Sequence, residues 1–151
     1  MTIQDFEAIV EKTHLALKEF FIGNPEPYSK LYSSAQDISL LGAQGGFAVG
    51  PKEVGQHLTT RASWFQAGEN VTWERLVKVA TEEIGYIVEI ERFDARVGET
   101  SEITHVALRV TTIFRRENGQ WKVIHRQGDP LVSRIDPATY LALAKHNTEM
   151  K

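Results

Sequence analysis

The 151-residue sequence has no cysteine. Disulfides, thiolate nucleophiles and cysteine-based metal sites are therefore excluded. No run approaches the ~18 consecutive apolar residues of a membrane-spanning helix, so no membrane partner is expected. The opening stretch MTIQDFEAIVEK carries early acids and no apolar h-region, so it does not read as a secretory signal. A cytoplasmic domain is the expectation. Positive charge is not in excess: 17 Lys plus Arg stand against 20 Asp plus Glu, a net charge of −3 that argues against nucleic acid as a partner. The five histidines, His14, His57, His105, His125 and His146, form no HxH, HxxxH or HExxH spacing. Dinucleotide and nucleophile-elbow fingerprints are missing as well. Neither a metal nor an organic cofactor is expected.

What is present suits one α+β domain over residues 1–151, with a core of about 3–132 and an extension of 133–151. Ile3, Phe6, Val10, Leu17 and Phe21 keep the spacing of one helix face, which predicts a helix over 3–22. Thr2 is its expected N-cap and Gly23-Asn24-Pro25 its stop. A short helix over 26–32 and a strand over 37–41 follow. Pro51 suits the first turn of a third helix, expected to reach about Gln66. The second half reads as strands over 71–80, 84–94, 103–116 and 120–128. Asn118-Gly119 marks a tight hairpin between the last two. A terminal helix is expected over 137–146.

Strand parity assigns faces. In the last hairpin, Val106, Leu108, Val110, Thr112, Phe114, Trp121, Val123 and His125 form the expected core face. Arg109, Thr111 and Arg126 fall on the other, with Ala107, Ile113 and Ile124 among them. In the preceding hairpin, with Glu82-Glu83 as the turn, Val79 faces Tyr86, Val77 faces Val88, Arg75 faces Ile90 and Trp73 faces Arg92. These are assigned to the core face, and Glu74, Glu89 and Glu91 point away.

This element order, together with the closing stretch Arg115-Arg116-Glu117-Asn118-Gly119-Gln120-Trp121-Lys122-Val123-Ile124-His125-Arg126, resembles the SnoaL-like, nuclear-transport-factor-2-like superfamily. The resemblance covers about residues 3–132. It implies a curved antiparallel sheet that forms a cone with the N-terminal helices and encloses a pocket. That superfamily includes ketosteroid isomerase, scytalone dehydratase, limonene epoxide hydrolase, polyketide cyclases and non-enzymatic association domains, so it implies a fold without an activity. Gln127 stands where many relatives carry a second histidine. Asp37 lies in the region where ketosteroid isomerase has its general-base aspartate.

Two residues are candidates for acid–base chemistry. His125 would sit at the open end of the cone, as a base, a ligand-orienting group or a buried neutral imidazole. Asp37 would be a buried base or a turn residue. The candidate ligand wall comprises Trp64, Phe65, Trp73, Arg75, Arg92, Val110, Thr112, Val123 and Gln127. Arg75 and Arg92 on one face would meet either a ligand carboxylate or protein acids. The expected partner is a small apolar or aromatic molecule with an acidic or carbonyl end. Three functions compete: ligand binding, cofactor-independent isomerase, cyclase or hydratase chemistry through Asp37 or His125, and self-association. Ala107, Ile113 and Ile124 make the outer face apolar enough to predict a homodimer through it.

Overall fold

A computed structural model describes residues 3–146. Helix α1 (Ile3–Phe20) and the one-turn α2 (Glu26–Ser29) precede short strands β1 (Ser39–Leu41) and β2 (Ala48–Val49). Helix α3 (Gly50–Ala62) then leads into four long strands, β3 (Phe65–Ala80), β4 (Ile84–Val97), β5 (Thr104–Glu117) and β6 (Gln120–Pro130). Helix α4 (Pro137–Ala144) is the last element of the described residues. Thr2, the expected N-cap of α1, lies outside the described residues.

The strands form one sheet in the order β2-β1-β6-β5-β4-β3. The β1–β6 pairing is parallel and the others are antiparallel. The sheet is curved and open, and it wraps α1 with bulges that bend the long strands. Phe6, Val10, Leu17 and Phe21 are buried, so the periodicity of the first helix reports its core face. Asn118 and Gly119 take φ of 52° and 79°, the two left-handed residues a two-residue hairpin turn requires.

Helix α3 stops four residues before the expected Gln66. Phe65 leaves the helix because its ring belongs to a buried aromatic cluster with Phe20, Phe21 and Phe93. Its backbone pairs with Val97 instead. Trp64 sits in the connecting turn, half-exposed, with Arg61 4.4 Å over its ring.

Two of the expected faces need correction. Along β6, Val123 pairs with Phe114, but His125 pairs with Ile113 rather than Thr112. One extra residue bulges β6 just after Val123, which turns Arg126 inward and His125 outward. Along β4, Ile87, Glu89, Glu91, Phe93 and Ala95 are all buried, so the interior face is the one that carries the two glutamates. Val77 and Val79 pair with Val88 and Tyr86 as expected, but on the outer face, where they stay 42% and 40% exposed. A bulge at Leu76 returns Trp73 and Arg75 to the interior side, opposite Glu91 and Glu89. Arg92 is left outside, opposite Thr72.

Gly85 shows how closely α1 meets the sheet. A Cβ there would stand 2.3 Å from Phe6 Cε1. The Phe6 ring is fully buried and held edge-on by Phe114 and Trp121, so it has nowhere to move. Gly85→Ala is expected to destabilise the fold by about 1–3 kcal/mol. Urea denaturation would read the loss, and unchanged stability would refute this account of the α1–sheet contact.

Candidate functional site

The interior of the cone contains charge. Glu91 is 0% exposed, at the centre of β4. Its Oε2 accepts from Arg126 Nη2 at 2.7 Å, and its Oε1 accepts from Trp73 Nε1 at 2.9 Å. Arg126 comes from β6 just beyond the bulge. Burial opposes its charge, but the Glu91 carboxylate outweighs that and raises its pKa. The two phenols lie 3.1 Å apart. Burial is also the main reason that both tyrosines titrate above their ordinary range, so they stay neutral donors.

A second cluster lies two residues along β4. Glu89 is 3% exposed, and its Oε1 lies 2.8 Å from His14 Nε2. The His14 ring stacks on Trp73 with centroids 3.9 Å apart. Arg75 Nη1 donates to Glu7 Oε1 at 2.8 Å, while its Nε stands 3.7 Å from Glu89 Oε2. Lys78 closes the cluster by pairing with Glu7. Protein acids therefore meet Arg75. Arg92 is likewise paired, with Glu74 at 3.0 Å on the outer face. The two arginines do not share a pocket.

A cavity of about 50 Å³ opens beside Arg126, between α1, α3 and the loop after β1. Its walls are mostly apolar, with Leu17, Phe20, Phe65 and Leu108 among them. The polar wall groups are Tyr28, Gln44, His57, Arg61 and Arg126. Arg61 Nε is buried and makes no hydrogen bond with the described residues. Burial first, and then the charge of Arg61, lower the pKa of His57 and keep its imidazole neutral.

Of the residues expected to line a pocket, Phe65 does so. Trp73, Val110, Thr112 and Val123 face the interior but pack into the core or the ion-pair network. Trp64 and Gln127 lie outside; Gln127 Nε2 donates to Asp129 Oδ2 at 3.3 Å. His125 lies on the outer side, with Nδ1 2.8 Å from Ser39 Oγ. Its pKa is lowered, mainly by partial burial. Asp37 is exposed and clamped by Arg115 through two hydrogen bonds of 2.7 and 2.9 Å. That hydrogen bonding holds its carboxyl below the usual range, which is the reverse of what a general base needs. Both acid–base candidates are thus tied to structural contacts outside the cavity.

Sequence reasoning missed Glu89, Glu91, Arg126 and Tyr28. One signal was available: Ile87, Phe93 and Ala95 share the parity of the two glutamates, and that apolar run marks the interior. The bulge that turns Arg126 inward left no comparable mark.

The chain belongs to the SnoaL-like domain family, whose model matches residues 7–132. Solved structures agree on the fold. A nuclear transport factor 2-like superfamily protein from Salmonella enterica serovar Typhimurium superposes with a TM-score of 0.77 at 13% identity, covering 91% of this chain and 98% of that one. A ketosteroid isomerase-like protein from Erwinia carotovora atroseptica gives 0.68 at 16% identity, over 83% and 96%. A cystatin-like-fold protein from Nostoc punctiforme gives 0.65 at 17%, over 86% and 91%. No curated protein matches the sequence significantly. Among the described residues, no helix is long and apolar enough to cross a membrane.

Removing one partner of the interior ion pair leaves the other charge stranded. Arg126→Met is expected to cost about 3–5 kcal/mol, and Glu91→Leu a similar amount. The double variant should lose less than either single change. A denaturation cycle over the four proteins checks this, and additive losses would mean that the pair is not coupled.

Proposed function

We propose that this chain is a small-molecule-binding SnoaL-like domain whose cavity takes an apolar ligand with an acidic or carbonyl end. The observation that carries this reading is Arg61 Nε, a buried donor without an acceptor on the wall of a mostly apolar cavity. A buried donor left unpaired costs about 1–3 kcal/mol, which a ligand oxygen would recover. Arg126 and the Tyr28 hydroxyl at the same cavity add donors, and neutral His57 can donate or accept through one nitrogen. The volume of about 50 Å³ favours a compact ligand end, with any larger body emerging through the opening.

Acid–base chemistry through Asp37 or His125 has less support, because Asp37 is bound by Arg115 and His125 by Ser39, both away from the cavity. The ligand reading is tested by thermal shift with small aromatic and aliphatic acids and their neutral amides. Acids should stabilise the protein by about 1 kcal/mol at a few times Kd, or roughly 2–4 °C. Arg61→Gln should abolish most of that shift, with each protein's shift measured against its own ligand-free melting temperature. Equal shifts for acid and amide, or full binding by Arg61→Gln, would overturn the assignment.

A further inference from the structure

Helix α4 is formed but buries nothing. Asp136 caps it by accepting from the Thr139 backbone N–H at 2.8 Å. Eight residues are nevertheless too few to hold an isolated helix in water, where even ~12–15 are marginal. No residue of α4 is buried; Leu141 is 60% exposed and Leu143 74%. Its sequence, PATYLALA, has no charged side chain to hold it in solvent. Leu131, Val132 and Ile135, on the stretch leading into it, are exposed too. Residues 131–144 thus form a mostly apolar arm, with Arg134 and Asp136 its charged residues, attached at its root, where the Leu131 N–H donates to the Ala107 carbonyl at 2.9 Å.

The same chain leaves an apolar sheet face uncovered. Val77, Val79 and Ile84 are exposed there, beside Tyr86, Val88 and Ile113. The arm does not cover this patch in its own chain. We propose that the arm of one molecule docks on the outer sheet face of a second copy of this chain. One sequence carries both halves of the contact, and a two-fold pair of copies satisfies each half twice. The halves are alike in chemistry: an uncharged helix meets an uncharged patch.

The six residues before α4 span up to ~20 Å when extended, so the helix can swing well clear of its root. The patch at Ile113 of its own chain is also ~20 Å from Ala107 along β5, at ~3.3 Å per residue, and docking there is the outcome that the cross-linking test separates from exchange between copies. The exposed apolar side chains of one arm offer on the order of 600 Å², at 150–250 Å² for a fully exposed large side chain. Two arms with the surfaces beneath them would bury roughly 2,000 Å², the scale of a stable homodimer.

The absence of native cysteine allows a direct test. Two single-cysteine variants, Leu141→Cys and Val79→Cys, carrying different mass labels, are mixed and oxidised. The expected product is a disulfide-linked species of about twice 17.0 kDa that contains one copy of each variant. Light scattering of the unmodified chain should give the same doubled mass. The double variant Leu141→Asp, Leu143→Asp changes only exposed positions and should weaken dimerisation at least tenfold without altering the circular dichroism spectrum. A monomer in light scattering would overturn the proposal. So would a dimer in which the mixed variants do not cross-link, or a chain carrying both cysteines that links only within itself.

Discussion

The ion pair between Glu91 and Arg126 organises the interior of this domain. Two charges withdrawn from water are tolerable only when each is well supplied with partners. Glu91 has the guanidinium and the Trp73 indole. Arg126 has that carboxylate and two neutral phenols beside it. The arrangement exists because β6 carries one extra residue after Val123. Without it, Arg126 would point outward and Glu91 would be a lone buried carboxylate. The same residue sends His125 out to Ser39, so a single irregularity decides which cation enters the cone and which imidazole leaves it.

The interior polar groups occupy two linked levels of β4. Glu91 belongs to the level that reaches the cavity through Arg126, whereas Glu89 belongs to a level closed by His14, Arg75 and Glu7. Trp73 joins them, donating to Glu91 while its ring stacks on His14. Aromatic and aliphatic side chains together fill most of the cone. The remaining space lies where α3 approaches, beside a cation already neutralised and a second, Arg61, that is not fully satisfied. This division separates the groups tied into ion pairs from those that line open space.

Much of the fold was legible in the sequence, because helix periodicity, turn chemistry and long alternating strands are local signals. Phe6, Val10, Leu17 and Phe21 report the buried stripe of α1, and Asn118-Gly119 reports the hairpin. The candidate site was far less legible. Its residues depend on β-bulges, and each bulge reverses every face assignment beyond it. Leu76 carries no feature that marks it as an inserted residue, nor does the stretch after Val123. Glu89 and Glu91 misled for another reason: acids on a strand ordinarily face water, and only the packing of Arg126, His14 and Trp73 around them makes the opposite choice favourable. Phe65 left its expected helix for a similar reason, since burial among three other aromatic rings outweighs helical propensity.

The irregular path of β3 has one more effect. This strand is the last in the sheet, so one side of its backbone has no neighbouring strand. A straight edge sixteen residues long would offer an open row of peptide groups to any passing extended chain. Its register shifts three times, and Ala67 and Asn70 take left-handed conformations with φ of 58° and 54°. The spacing of free donors and acceptors is therefore broken repeatedly. A foreign strand could pair over only a few residues before losing alignment, so the curvature that shapes the cone also protects the domain from runaway edge-to-edge polymerisation.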